Sequence, residues 1–290
     1  MHPAPSIILF TVLSGLGFGL LACLALGLPG LSGWMAFFGW GIGYVLATGG
    51  LAASAFHLGN PQRALLAFTQ WRSSWLSREA WASVLALLVM APCALADWLG
   101  FDWPVALRLL AAVLALLTVL ATSMIYASIR AVPRWNHWTT PALFLGFALA
   151  GGALLGLQGG LAAVLLLGLG AVQIAAFGLG DRQFAARGAS MESATGLTGR
   201  GAVSVFEQPH TGGNYLTREM IHVVGRRHAQ KLRVIAVVCA SLLPAGLVLT
   251  GGGAGLVLAI PLHMTGALAA RWLFFAEAEH VVGLYYGRRG

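Results

Sequence analysis

The chain has 290 residues, of which 58% are hydrophobic and only 9% are charged, and its mean hydropathy is +0.81. Soluble domains carry roughly 25% charged residues, so this composition excludes a soluble globular domain and predicts an integral membrane protein. The net charge of +8 comes from basic residues in loops between apolar segments, which favours contact with membrane lipid or a partner subunit and argues against nucleic acid.

Eight apolar segments are long enough to cross the roughly 30 Å hydrocarbon core as helices, so the sequence predicts an all-α membrane protein with eight transmembrane helices. The segments are 7–28, 34–56, 80–97, 105–129, 141–157, 161–179, 231–249 and 256–282. The first Lys or Arg of the chain is Arg63, so no basic residue precedes the first segment. This absence predicts a retained helix rather than a cleaved signal peptide.

With eight helices, both termini and the second, fourth and sixth loops lie on one side of the membrane, which we call the charged face. All of the 17 Lys and Arg residues except Arg108 fall on this face, and the opposite face carries Arg108, Asp97 and Asp102. The positive-inside rule therefore predicts that the charged face looks into the cytoplasm, in a multi-pass protein of the bacterial inner (cytoplasmic) membrane.

Short matching sequences indicate that the two halves of the chain are related. Residues 56–60 (FHLGN) resemble 177–181 (FGLGD), and residues 76–79 (LSRE) resemble 216–219 (LTRE). We predict two related four-helix bundles of like orientation. The first comprises residues 1–137, with the loop 57–79, and the second comprises 138–290, with the long polar loop 181–230. Because His57 corresponds to Gly178, the halves differ at a titratable position, which favours the first half as the chemical site.

The loop from His57 to Glu79 holds the residues with the clearest chemical potential. Asn60 followed by Pro61 is typical of a helix start, and the alternation of apolar and polar residues up to about Trp71 suits a short helix at the membrane interface. Ser77 is predicted to cap the third transmembrane helix, with Glu79 in its first turn.

Two interpretations of His57 and Glu79 stay open at this point. In the first interpretation neither residue has a chemical function. The helix dipole stabilises a carboxylate in a first turn, and a lone histidine at the interface reaches into the headgroup layer. Alternatively, the two residues act together, because the loop returns both to the same interface. Quinone chemistry moves protons with electrons, and a histidine and a partly buried carboxylate can exchange those protons while an apolar slot holds the ring and tail.

The other ionisable residues of the spans point to packing. His263 stands alone about two turns into the eighth segment, and we predict that it is hydrogen-bonded within the bundle. Because no second deep histidine is available as an axial partner, haem is not predicted. Cys23, Cys93 and Cys239 are isolated and lack CxxC spacing, so neither a metal site nor a disulfide is predicted.

The end of the eighth segment carries a cluster of ionisable residues. Its members are Arg271, Glu277, Glu279 and His280. Glu277 and His280 are three residues apart, share a helix face and can pair. We predict that the cluster closes the charged face, with a proton entrance as the alternative.

The sequence predicts that residues 217–233 continue the seventh helix, which would then extend about 24 Å beyond the bilayer. This basic segment is either a stalk that faces lipid or a docking post for a soluble partner. With the polar loop before it, docking is favoured, through Arg218, His222, Arg226 and Arg227.

In three places the sequence resembles the membrane anchor subunits of dimethyl sulfoxide reductase type molybdoenzymes, within the wider NrfD-like and polysulfide-reductase-like group. These are the opening MHPAPSIILFTVLSGLGFGL, the stretch FHLGNPQRA followed 22 residues after His57 by Glu79 in WLSREAW, and the closing RWLFFAEAEH. The resemblance implies an eight-helix anchor without haem or metal. Such an anchor binds a membrane quinone, either menaquinone or ubiquinone, and exchanges electrons with an iron–sulfur subunit, which serves a molybdopterin catalytic subunit.

The family's quinol-site histidine and glutamate match His57 and Glu79, so the resemblance implies quinone-binding roles for these two residues. We add Arg63 and Arg78 from spacing alone, as contacts to a quinone carbonyl or to a partner. The N-terminal stretch is closer to the sulfite-oxidising anchors, which implies electron flow from sulfite oxidation to the quinone pool. In that arrangement the substrate half-reaction takes place in another chain.

Three alternatives are kept. The first is a quinol-oxidising anchor of a dimethyl sulfoxide or related reductase. The second, from another class, is a small-solute membrane carrier, since duplicated bundles also build transporters. The third is a purely structural anchor, with quinone handled elsewhere.

Overall fold

A computed structural model describes residues 3–56, 60–207, 212 and 228–286 of the chain. Within those residues all regular structure is helical, as predicted. The helices are α1 Pro5–Ala25, α2 Gly33–Ala55, α3 Trp75–Leu99, α4 Val105–Ala127, α5 Thr139–Leu155, α6 Gly159–Ala186, the short α7 Met191–Thr195, α8 Ala229–Thr250 and α9 Gly252–Ala276. Two 3-10 helices span Pro61–Phe68 and Val281–Tyr286, and α8 contains a π-helical turn at Val238–Leu242.

Seven of these helices are long and apolar enough to cross a membrane, which makes the chain a multi-pass membrane protein. They are α1, α2, α3, α4, α6, α8 and α9. The remaining predicted crossing corresponds to α5, which is apolar but has only 17 residues and is about 26 Å long. The eighth crossing therefore stays a prediction.

Two helix ends differ from the predicted ones. α6 continues beyond residue 179 to Ala186, because the hydropathy pattern marks where the chain leaves the bilayer and residues 181–186 contain no Pro or Gly to end the helix. α9 ends at Ala276 rather than at 282. Beyond it the Val281 amide donates to the carbonyl oxygen of Ala131, at 2.9 Å, instead of continuing the helical ladder.

The start of α3 also differs, and this difference affects Glu79. The helix begins at Trp75, after Ser74, so Ser77 lies buried inside the first turn and does not cap the helix. The predicted cap is therefore wrong. Glu79 stands at the fifth helical position, beyond the first turn, where the helix dipole has little effect on a carboxylate.

The central helix of the molecule is α1. In its most apolar stretch 78% of the residues are buried, against 28% to 39% in the other six long helices, whose remaining surface is available to lipid. α1 packs against α2, α4, α5 and α9. Small residues make this possible: a Cβ placed on Gly152 of α5 would lie 2.3 Å from the backbone carbon of Gly19 in α1. Such close backbone approach is typical of helices packed inside a membrane.

We expect Gly152→Ala to lower the free energy of unfolding by about 1 to 3 kcal/mol, because the added methyl group meets backbone that cannot move aside. The matched control is Gly41→Ala on the exposed face of α2, where a Cβ has nothing within 4 Å and alanine is expected to be neutral or stabilising by up to about 1 kcal/mol. Thermal unfolding of both variants in the same detergent measures the difference. Equal stabilities would contradict the close α1–α5 packing.

Ion pairs tie the helix ends together in two places. At the end of α3, Asp97 pairs with Arg108 of α4 and accepts a hydrogen bond from the indole nitrogen of Trp40, at 3.0 Å. The second group, which we call the charge quartet, consists of Arg134, Asp181, Arg233 and Glu277. It joins the segment before α5 to the end of α6, the start of α8 and the end of α9.

Candidate functional site

The loop that leads into α3 begins with the 3-10 helix Pro61–Phe68, where the sequence predicted a short interfacial helix. The Asn60 side chain does not cap it and instead accepts a hydrogen bond from Gln62 Nε2, at 3.4 Å. Leu65 and Leu66 are largely exposed, which suits a helix that lies against lipid. Arg63 is exposed as well.

Side chains of α3 hold this loop in place. Trp81 donates from its indole nitrogen to the Phe68 carbonyl oxygen, at 3.0 Å, and the rings of the two residues meet edge to face. Arg78 donates to the carbonyl oxygens of Trp71 and Arg72, at 3.0 and 2.7 Å. Arg78 therefore fixes the loop through its backbone, and a role for it or Arg63 in contact with quinone stays a prediction.

Glu79 is the buried carboxylate of this region, with 4% of its surface exposed. Its partner is Thr122 of α4, whose hydroxyl group is hydrogen-bonded to the Glu79 carboxylate. A buried carboxylate inside a membrane is costly and needs compensation, so a purely structural first-turn role no longer accounts for it. The functional interpretation of Glu79 gains weight from this position.

The Thr122 hydroxyl group suits a partner that changes its protonation state. It carries one proton and has two acceptors near it, the Glu79 carboxylate and the Thr118 carbonyl oxygen, which lies at 3.0 Å. When Glu79 is ionised, the hydroxyl can donate to the carboxylate. When Glu79 is protonated, it can itself donate to the hydroxyl oxygen, and the hydroxyl donates to Thr118. The pair therefore accommodates Glu79 with and without a proton.

A buried arginine from the second half of the chain lies close to the same helices. Arg271 of α9 is 5% exposed, and its guanidinium group stacks on the Phe144 ring of α5, with 3.7 Å between the guanidinium carbon and the ring centroid. Its Nε has no hydrogen-bond partner among the residues that the structure describes. Arg271 and Thr122 line one small cavity between α1, α4, α5 and α9.

Neither Thr122 nor the inward orientation of Arg271 was identified from the sequence. A signal was present in α4, where Thr118 and Thr122 recur at helical spacing in a largely apolar helix and share one face. The sequence places Arg271 in the cluster that closes the charged face, because depth along a helix does not reveal which way a side chain points.

Several predicted residues lie outside the described part of the chain. His57 is one of them, so its relation to Glu79 stays a prediction. The predicted docking residues Arg218, His222, Arg226 and Arg227 also lie outside the described residues.

His263 confirms the prediction of a histidine that is hydrogen-bonded within the bundle. Its Nδ1 lies 2.6 Å from the carbonyl oxygen of Ala240, in the π-helical turn of α8, and such a turn leaves backbone carbonyls without helical partners. Among the described residues no group of three or more His, Cys, Asp or Glu side chains is placed to hold a metal ion.

The cluster at the end of α9 pairs differently from the prediction. Glu277 accepts hydrogen bonds from Arg134 and Arg233, at 3.1 and 2.6 Å, and not from His280. Burial lowers the pKa of His280, and its Nδ1 accepts a hydrogen bond from the Val282 amide, at 3.0 Å.

Comparison with known proteins identifies the family of the chain. The model of the DMSO reductase anchor subunit (DmsC) family matches residues 1–165, which include Glu79 and Thr122. A sulfite dehydrogenase subunit of Allochromatium vinosum is 32% identical to the chain, and the match covers 99% of each protein. No solved structure matches. The chain therefore belongs to the DMSO reductase anchor subunit family, the membrane anchors of molybdoenzyme complexes.

Proposed function

We propose that this chain anchors an iron–sulfur subunit and a molybdopterin catalytic subunit in the bacterial inner membrane and carries their quinone site. In this proposal His57 and Glu79 exchange protons with the quinone, and electrons pass between the quinone and the iron–sulfur subunit. The observation that carries it is the buried Glu79 carboxylate with its Thr122 partner, in a family of redox anchors.

The chemistry of this position supports the proposal. Quinone turnover adds or removes a proton at each quinone oxygen. A group that accepts and releases protons must therefore lie beside each of these oxygens. The Glu79–Thr122 pair keeps its hydrogen bonding in both protonation states. Since the predicted site uses side chains alone, the proposal contains no haem and no metal in this chain.

The direction of electron flow is proposed to be from sulfite oxidation to the quinone pool. The observation that favours it is the match over the full length of both proteins to a subunit of a sulfite dehydrogenase. The family model is named after a reductase, so quinol oxidation for a dimethyl sulfoxide or related reductase is the second candidate. The proposal covers menaquinone and ubiquinone alike.

We also propose that α5 is the eighth crossing and that the helices form two related four-helix bundles. Arg134, which precedes α5, pairs with Asp181 near the end of α6, so the start of α5 and the end of α6 lie at the same face. Only three residues separate α5 from α6, and the two helices pack together. A chain that leaves this face in α5 and returns to it in α6 must cross most of the membrane twice.

The soluble partners are proposed to dock on the charged face. The quartet brings together the segment before α5 and the ends of three helices, and the sequence predicts that the docking residues lie on the same charged face. Membrane lipid covers the exposed apolar surfaces of the long helices.

The test is purification of the chain in mild detergent, followed by identification of the proteins that accompany it. We expect an iron–sulfur and a molybdopterin subunit, and quinone-linked turnover that His57→Ala lowers by about 100-fold or more. Turnover with an artificial electron-accepting dye should be unchanged, because the dye takes electrons without the quinone site.

Other outcomes separate the alternatives. Unchanged quinone-linked turnover in His57→Ala and in Glu79→Gln would contradict the quinone site and support a purely structural anchor. Isolation without any soluble partner, as an oligomer of this chain alone, would support a solute carrier.

A further inference from the structure

A quinone site at Glu79 needs a route for protons to water, and this inference rests on the function proposed above. Glu79 is 4% exposed, so its carboxylate has little direct contact with either aqueous phase. Each turnover nevertheless has to deliver protons to it or remove them. Two small cavities lie on either side of Arg271, which lines both of them, and they offer such a route.

The first cavity lies at the centre of the bundle, between α1, α4, α5 and α9. Its polar lining comes from Thr11, Ser14, Thr122 and Arg271. The volume that the centre of a water molecule can occupy is about 10 Å³, which is enough for roughly one water molecule. Since Thr122 is hydrogen-bonded to Glu79, a water here lies one hydroxyl group away from the carboxylate.

The second cavity continues from Arg271 towards the charged face, between α5, α6 and α9. Arg271 and Gln173 line its inner part, and Thr140, Arg134 and Glu277 line the part nearer the charged face. Its open space is about 40 Å³, enough for roughly three water molecules. Glu277 and Arg134 belong to the charge quartet, whose Asp181 side chain is 45% exposed.

Two buried polar atoms on these walls lack a partner among the described residues. They are Nε of Arg271 and Oε1 of Gln173. Gln173 is 1% exposed and donates one hydrogen bond from its amide nitrogen to the Ser241 hydroxyl group, at 2.8 Å, while its amide oxygen is left without a partner. One atom is a donor and the other is an acceptor, and a water molecule is able to pair with either.

We propose that these cavities hold a chain of water molecules that carries protons between the charge quartet and Glu79. In quinol oxidation, a quinol O–H bond breaks as Glu79 takes the proton. Glu79 then passes it through Thr122 and the water chain to the aqueous phase beside Glu277 and Asp181. In quinone reduction the same bonds form and break in the reverse order. The electrons travel separately, to or from the iron–sulfur subunit.

Arg271 has a defined place in this route. An isolated guanidinium group would repel a proton that approaches it in a medium of low dielectric constant. Glu277 is already paired with Arg134 and Arg233, so the carboxylate left to offset the charge of Arg271 is Glu79, when it is ionised. Arg271 is thus a positioning residue that orders the waters on both sides of it.

The test narrows the second cavity without touching Glu79, Thr122 or the quartet. Ala176 of α6 lines the cavity, and Ala176→Leu fills part of it. The control is Ala171→Leu on the exposed face of the same helix. A second cavity variant, Ala270→Val, acts from the α9 wall and serves if Ala176→Leu does not fold.

The first readout does not depend on turnover. At a pH that protonates carboxyl groups, the Glu79 carboxyl stretching band is isolated in the infrared spectrum by subtracting the spectrum of Glu79→Gln. After transfer to D2O the frequency of this band shifts as deuterium replaces the carboxyl proton, and the rate of the shift measures proton exchange at the Glu79 side chain. We expect a cavity variant to slow this exchange by about tenfold or more, and the control to leave it unchanged.

The second readout is quinone-linked turnover, measured in H2O and in D2O. In the cavity variant the turnover rate should fall, and its solvent isotope effect should rise. Unchanged exchange and turnover in both cavity variants, with Glu79→Gln inactive, would overturn the water route and leave the quinone site intact. If Glu79→Gln keeps its quinone-linked turnover, the proton-exchanging role of Glu79 in the proposed function fails, and if His57→Ala keeps it as well, the quinone site fails. The two failures are therefore distinguishable.

Discussion

Glu79→Gln is expected to lower quinone-linked turnover by about 100-fold or more, because the amide has the size of the carboxyl group but cannot exchange protons near neutral pH. Its oxygen can still accept the hydrogen bond from Thr122, so the α3–α4 contact is retained. Assembly with the soluble subunits and dye-linked turnover should stay at the wild-type level. The measurement is the ratio of quinone-linked to dye-linked turnover in the purified complex.

Glu207→Gln provides the matched control, since Glu207 lies on an exposed loop. It removes the same charge and should leave the ratio of the two activities unchanged. Thr122→Val removes the hydroxyl group and preserves the shape of the side chain, so it should lower quinone-linked turnover without loss of Glu79. A wild-type ratio in Glu79→Gln would contradict the proton-exchanging role of this carboxylate.

Much of the helical layout follows from hydropathy alone, because a membrane allows a buried backbone only if each segment satisfies its own hydrogen bonds. Seven spans agree with the prediction for this reason. The helix ends are less predictable. At α6 the chain leaves the apolar layer near Asp181 but stays helical, since polar residues such as Arg182 and Gln183 are compatible with a helix outside the bilayer.

The candidate site could be predicted only in part. The sequence singles out Glu79 because one loop returns it to the same interface as His57 and because it matches the family's quinol-site glutamate. Its burial depends on the helix starting at Trp75, and Ser77 is as good a cap by type as Ser74. Its partner Thr122 is 43 residues away and becomes a neighbour only through the packing of α3 against α4. Contacts between distant helices leave little trace in the local pattern of a single sequence.

The predicted repeat illustrates the same limit. Residues 56–60 begin where α2 ends, whereas their counterpart 177–181 lies inside the longer α6. The second pair of matching sequences ends in Glu79 on one side and in Glu219, outside the described residues, on the other. The relation between the halves therefore remains a prediction.

Removal of one charge from the quartet is expected to have very different effects at its two carboxylates. Glu277 is 5% exposed and accepts from both Arg134 and Arg233, whereas Asp181, with the same two partners, is 45% exposed. Glu277→Gln leaves two largely buried guanidinium groups without their inner counter-charge. Loss of one partner of a buried pair costs about 3 to 5 kcal/mol, so the unfolding temperature should fall by several degrees or more.

Asp181→Asn should cost less, about 1 kcal/mol or below, because water can solvate the arginines on the exposed side of the network. Thermal unfolding in detergent at low and high salt compares the two variants, with Glu207→Gln as the control for loss of a negative charge at an exposed position. Salt should weaken the Asp181 effect much more than the Glu277 effect, because screening acts mainly on exposed charges. Equal losses of stability at the two positions would mean that Glu277 is as well hydrated as Asp181. The inner end of the quartet would then open directly to water, and the helices would meet less closely than their ion pairs indicate.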